Sequence, residues 1–247
     1  MASHTQRPNR SVVVGVDGSR AALNAVAWAA AEAVDRGIPL RLVHVAGGMA
    51  PDAVLEHAED VARQAEKSVR VETIHACGDP AAVLACESRS AAMVCLGSRA
   101  RAFDESALFG PVATALIERA TGPVAIIRSR ADGTPRTEGV VSVVLSDDAA
   151  NDEVVHAAMR EGRLRRATVR QIDQRTDSWV RRFPDVHVEV VTDGSGVRSY
   201  GHCGEPDQRI ALAVIGPGDA ETLTSTPMPN CHPIHGYPDC SVLVVRG

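Results

Sequence analysis

Aromatic side chains are scarce in this chain of 247 residues, which has two Trp, two Tyr and three Phe. A core without large rings has to be aliphatic, and Val, Ala, Leu and Ile are there to build it. Lysine is scarcer still. Lys67 is the only one and every other basic side chain except the histidines is Arg, which reads as coding bias of the source genome before it reads as function. The formal net charge is −5 and no long basic run occurs, which argues against a nucleic-acid or anionic-membrane surface. No apolar stretch reaches the roughly 18 residues that a membrane-spanning helix needs. Met1–Arg10 is polar and lacks the apolar segment of a signal peptide. The six cysteines show no CxxC spacing. With no export signal, free thiols and a cytoplasmic location are the expectation.

Signatures of catalysis are missing too. The chain has no G-x-S-x-G elbow, no HExxH pattern and no Walker lysine. His202, Cys203, Cys231, His232, His235 and Cys240 gather metal-capable side chains, but their spacing matches no zinc pattern and the segment is proline-rich. No metal and no enzyme activity are expected.

What is present is a repeating alternation of strand and helix. Hydrophobic residues make 45% of the chain and charged ones 23%, the proportions of a globular protein. Ser11–Val16 is a β-branched run suited to a strand buried on both faces. Asp17-Gly18-Ser19 turns the chain, Ser19 caps an Ala-rich helix, and Gly37 ends it. Leu40–Val45, Val69–Ala76, Ala92–Leu96 and Pro123–Arg128 read as further strands. Helices fill the gaps at about Pro51–Lys67, Pro80–Glu87 and Gly110–Ala120. Five strands with intervening helices predict an open, doubly wound parallel α/β sheet.

The order then restarts after a short linker. Val140–Leu145, Ile210–Ile215 and Val242–Arg246 repeat the first, fourth and fifth strands, which indicates an internal duplication. Ser142 follows Ser11 by 131 residues, Gly216 follows Gly97 by 119, and Val242 follows Val124 by 118. The second copy has therefore lost about 12 residues between its first and fourth strands. Thr192–Asp207 carries too many glycines for a helix. Pro227, Pro229, Pro233 and Pro238 exclude a counterpart of the Gly110–Ala120 helix. The expected division is a flexible N-terminus at 1–10, a first domain at 11–130, a linker at 131–138 and a degenerate second domain at 139–247. The last strands of the two copies are apolar edges that invite pairing, and they are expected to face each other within the chain.

SVVVGVDGS, LVHV, Gly78-x-Pro80 and LGSRA…FGPVATAL…GPVAIIR resemble, in order and spacing, the landmarks of the universal stress protein family. The resemblance is close over Ser11–Arg128 and holds in outline over Val140–Arg246. It implies two five-stranded domains of the adenine nucleotide alpha hydrolase-like type, the second degenerate. It also implies a pseudo-dimer within the chain like the family's homodimer, further homodimer formation, a protein partner of unknown identity, and a non-catalytic stress-response or signalling role; the alternatives are an enzyme of the adenine-nucleotide-handling α/β group or a pure protein-interaction module without ligand.

The resemblance further implies an adenine-nucleotide site formed by Gly15, Asp17, Val45, Gly97, Arg99 and Gly110. The family's phosphate motif is Gly-x2-Gly-x9-Gly-Ser/Thr, whose glycines let backbone N–H groups close on phosphate. Here its spacing survives from Gly97 to Gly110, but Ala100 replaces the second glycine and Pro111 replaces the hydroxyl residue. Asp104 and Glu105 add negative charge inside the loop. ATP or AMP, held weakly, is the ligand implied. From the residues alone, Asp17 is equally readable as a helix-start residue, Arg99 as a solvated loop arginine, and His44 as a satisfied core histidine.

Overall fold

The computed structural model describes residues 10–45, 53–99, 109–135, 138–144, 151–173, 183–192, 210–224 and 240–246. The first half runs β1 (Val12–Gly15), α1 (Arg20–Arg36), β2 (Leu40–Val45), α2 (Ala53–Ala65), β3 (Val71–Ala76), α3 (Pro80–Glu87), β4 (Met93–Arg99), α4 (Pro111–Arg119) and β5 (Val124–Ser129). The second half runs β6 (Val140–Val144), α5 (Asn151–Arg165), β7 (Val169–Asp173), β8 (Val188–Thr192), β9 (Ile210–Ile215), α6 (Pro217–Thr224) and β10 (Ser241–Val244).

The expectation of two separate open sheets gives way to one sheet of ten strands, ordered β3-β2-β1-β4-β5-β10-β9-β6-β7-β8. Each half is parallel within itself and the two halves show the same strand order, read outward from the middle. They join through β5 and β10, which pair antiparallel with Val242 opposite Ile126, Leu243 opposite Ala125 and Val244 opposite Val124. The two apolar final strands therefore face each other, as their exposed edges require. An antiparallel junction is what results when two like edges meet about a twofold axis.

Both faces of this sheet are covered, and each covering layer crosses the junction. On one face α1 and α5 pack over Val12, Val14, Val141, Val143 and Leu243 in a single apolar cluster. On the other, Leu116 and Ile117 of α4 and Ala220 of α6 share a cluster with Val13, Ile126, Ile215 and Val242. The inward face of α1 is nearly all alanine, with Ala25, Ala29, Ala30 and Ala33 fully buried. Small side chains bring that helix close to the sheet. Ser19 Oγ accepts the Ala22 N–H at the start of α1, and Gly37 closes its end in the left-handed conformation (φ 65°).

The segment after β5 is tied down rather than loose. Arg130 N–H donates to the Thr134 carbonyl, Gly133 takes a positive φ of 82°, and Asn24 of α1 donates to Ser129 Oγ and to the Gly133 carbonyl. After Gly216 the second half does start a helix, the eight-residue α6. It ends before the first of the four prolines, which lie outside the described residues, as do nearly all of Thr192–Asp207 and the pair Asp147-Asp148. Cys77, Cys86, Cys95 and Cys240 are free thiols. Burial, reinforced by the charge of Glu32, pushes the Cys95 thiol well up, so this cysteine acts as a small hydrophobe. No helix among the described residues is long and apolar enough to cross a membrane.

Truncation after Ser129 would uncover β5, whose Val124, Ala125 and Ile126 are fully buried here. The fragment is expected to elute as a dimer or larger species in size-exclusion chromatography. In the full chain, Leu243→Ala is expected to lower stability by about 2–4 kcal/mol in chemical denaturation, because it opens a cavity in the core shared by the halves.

Candidate functional site

A cleft of about 350 Å³ opens at the carboxyl edge of the first half. It lies between β1 and β4, where the strand order reverses direction and an open α/β sheet leaves a crevice. Gly15, Val16 and Asp17 come from the end of β1, Val43 and Val45 from β2, Leu96 and Gly97 from β4, and Gly110 to Ala113 from the start of α4. Pro80 and Leu84 of α3 complete an apolar wall.

Five of the six residues expected from the sequence thus line one cavity: Gly15, Asp17, Val45, Gly97 and Gly110. Arg99 does not. It ends β4 as an exposed residue, and Arg101, Asp104 and Glu105 lie outside the described residues. The apolar wall of Val43, Leu84, Leu96 and Val112 was not singled out from the sequence. Its residues look like ordinary core positions, and only the Gly78-x-Pro80 landmark hinted that α3 belongs beside the site.

The three glycines play different parts. A Cβ on Gly97 would sit 2.1 Å from the Ala21 carbonyl carbon and oxygen and 2.4 Å from Ala22 N. Glycine is needed there so that the first turn of α1 can rest directly on β4. A Cβ on Gly15 would meet the methyls of Leu96 and Leu84 at 2.7 and 2.8 Å. Gly110 is different: its φ is −71° and a Cβ would meet nothing within 4 Å. Neither backbone conformation nor packing requires glycine at that position, and the missing side chain keeps the cleft open at α4.

Three helix N-termini converge on the cavity, those of α1, α3 and α4, and their dipoles favour negative charge. Two are already satisfied by side chains. Ser19 Oγ accepts from Ala22 N–H at 3.2 Å, and Asp79 Oδ2 accepts from Ala82 N–H at 2.9 Å. Helix α4 has Gly110 at its N-cap with no side-chain bond, and Pro111 in its first turn. Pro111 has no N–H, and Thr114 N–H already donates to the Gly110 carbonyl. Among the described residues, the donors left without a cap at this helix start are the N–H groups of Val112 and Ala113.

Asp17 is exposed, and its Oδ1 accepts the Ser19 N–H at 2.9 Å. It shapes the turn, as a helix-start residue does, and it also lines the cavity. His44 is half-buried, and its Nδ1 donates to the Val16 carbonyl at 2.6 Å. That bond satisfies the ring and steadies the backbone just before Asp17. Among the described residues no group of three or more His, Cys, Asp or Glu side chains could hold a metal ion. The Cys- and His-bearing segment lies outside them apart from Cys240, which is buried.

The profile of the universal stress protein family matches residues 8–128. Universal stress protein Rv2624c of Mycobacterium tuberculosis is 35% identical to this chain over the full length of both. The chain belongs to the universal stress protein family. A second relative, universal stress protein Rv3134c of the same organism, is 34% identical over 91% of this chain and 95% of its own. The crystal structure of a putative universal stress protein from Pseudomonas aeruginosa superposes with a TM-score of 0.63 at 16% identity, covering 96% of this chain and 93% of that one. That of a universal stress protein from Archaeoglobus fulgidus gives 0.61 at 14% identity, with 96% of each chain covered. These two likenesses establish that the whole chain, and not only its first half, has the α/β fold of those proteins.

The glycines of this universal stress protein separate in a mutational test. Gly97→Ala is expected to destabilise by about 3 kcal/mol or more in thermal or chemical unfolding, since α1 backbone occupies the space. Gly110→Ala is expected to shift stability by no more than about 1 kcal/mol while narrowing the cleft.

Proposed function

We propose that this universal stress protein is a non-catalytic stress-response or signalling protein whose first domain, residues 11–130, takes an adenine nucleoside or its monophosphate in the β1–β4 cleft. The observation that carries this reading is the unequal state of the two ends of the cleft. Gly15, Asp17, Val45 and an apolar wall line one continuous cavity, which suits a flat, largely apolar base beside a polar sugar contact. The phosphate end is reduced. At α4, among the described residues, only the Val112 and Ala113 N–H groups remain uncapped, Pro111 supplies neither N–H nor hydroxyl, and Arg99 is not part of the wall. Two N–H groups at a helix start suit one phosphate better than three. Gly97, the first glycine of the phosphate motif, is accounted for by α1 packing. ATP would therefore bind weakly, with its outer phosphates poorly held.

On this reading residues 139–247 form a degenerate second domain, joined through 131–138, that acts as a built-in partner of the first. The chain is an internal pseudo-dimer, with a cytoplasmic location and no role in binding nucleic acid, membranes or metal. Further pairing into a homodimer and recruitment of a protein partner fit the same role. The β5–β10 ladder and the shared core layers support it.

Isothermal titration with adenosine, AMP and ATP tests the ligand. AMP is expected to bind at least as tightly as ATP, and a submicromolar ATP affinity would overturn the reading. Restoring the motif with Ala100→Gly and Pro111→Ser is expected to tighten ATP by about tenfold, the worth of one or two added hydrogen bonds to a charged group. AMP affinity should change less.

A further inference from the structure

A second cavity, of about 190 Å³, lies where the two halves meet, far along the sheet from the strand ends that form the cleft. Its wall includes Arg36 of α1, Met93 of β4, Leu243 of β10, and His156, Arg160 and Glu161 of α5. Two glutamates are buried here, Glu32 on α1 with no exposure and Glu161 on α5 with 1%. Glu161 stands 129 residues after Glu32, and Arg165 stands 129 after Arg36. Each helix thus carries the same Glu-x3-Arg step, and the two steps meet across the junction.

The surrounding bonds are unequal although the sequence positions match. Glu32 Oε2 accepts from Arg36 Nε at 3.3 Å and Nη2 at 3.0 Å, and its Oε1 accepts from Arg165 Nη2 at 2.8 Å. Glu161 Oε2 accepts from Arg165 Nε at 3.0 Å. Arg165 therefore joins the two carboxyl groups, its Nη2 on Glu32 and its Nε on Glu161. Arg165 is the shared cation, held with its guanidinium carbon 4.1 Å from the centre of the Trp28 ring.

We propose that Glu32 and Glu161 hold one proton between them and so form a proton-dependent clasp between the two halves. Two buried carboxylates drawn to the same guanidinium repel each other when both are ionised. Glu32 receives three N–H donors over both oxygens. Glu161 receives one and keeps the proton. The groups facing Glu161 are Glu32, Asp35 and Arg36 from α1, Cys95 from β4, and His156, Arg160 and Arg165 from α5 itself. Asp35 and Arg160 are paired with each other at 2.6 Å. Burial first, then the charge of Glu32, pushes the Glu161 carboxyl from its ordinary 4.5 up to about 8, against the pull of Arg165.

The direction of the pH effect follows. In the unfolded chain Glu161 loses its proton near 4.5, whereas the folded protein keeps it until about 8. Between those values the folded state binds the extra proton, so stability falls as pH rises through that window and levels off above it. Above it, two carboxylates on α1 and α5 repel each other across the junction.

The test uses the full-length chain and Glu161→Gln, which keeps a hydrogen-bond donor and cannot titrate. In denaturant unfolding between about pH 5.5 and 8.5, the unfolding constant of the wild type is expected to rise by up to about tenfold per pH unit more than that of Glu161→Gln. Equal slopes would overturn the proposal. Hydrogen exchange of the β5 and β10 amides, corrected for its intrinsic pH dependence, reads the clasp itself. Protection there is expected to drop at alkaline pH in the wild type alone, and an unchanged pattern would leave Glu161 a buried acid with no hold on the junction. Should Glu161→Gln fail to fold, isotope-edited infrared spectroscopy of the wild type decides. A protonated carboxyl band that disappears near pH 8 supports the shared proton, and its absence at neutral pH overturns it.

Discussion

Three residue pairs along β5 and β10 hold the two halves of this protein in register, and most of the architecture follows from their antiparallel ladder. An apolar parallel sheet of five strands leaves its last strand with a row of unpaired N–H and C=O groups. Covering that edge with a copy of itself satisfies the backbone and buries the side chains of both strands at once. The twofold relation this imposes then places α1 beside α5 on one face and α4 beside α6 on the other. Both apolar layers become continuous across the junction.

The same geometry separates chemistry from structure in the first half. The cleft lies at the reversal of strand order between β1 and β4, where crossover helices diverge and their N-termini point toward a common space. Two of those N-termini are capped by Ser19 and Asp79, leaving α4 as the end with backbone donors to offer. Gly97 shows how a motif glycine can serve the fold. It admits the first turn of α1 against β4, and any role toward a ligand is secondary to that contact. Gly110, which packing does not require, is the glycine whose absence of a side chain bears on the shape of the site.

Charge is also distributed by the junction. The outer ion pair of Arg163 with Asp185 is half or more exposed and contributes little. The pairs around Glu32 and Glu161 are withdrawn from solvent, and there the energetics depend on protonation and on the cation shared between helices. A duplicated Glu-x3-Arg step that would be an unremarkable surface pair on an isolated helix becomes a buried network once two copies face each other.

Strand and helix positions in the first half were readable because β-branched runs alternate with Ala- and Leu-rich segments and because Ser19, Gly37, Asp79 and Pro80 mark helix ends by local chemistry. The pairing of the last strands was readable from their bare apolar edges. The cleft residues Gly15, Asp17, Val45, Gly97 and Gly110 were reached through motif order, whereas Arg99, the exposed last residue of β4, is not among the residues that line the cavity. What the sequence by itself determined was the local alternation of strand and helix, set by periodicity and short-range capping. Only the tertiary structure decided that the halves form one sheet, that Gly97 answers to α1, and that Glu32 meets Glu161. Each of these depends on close approach between residues far apart in the chain, where steric fit and desolvation act and no sequence spacing records them.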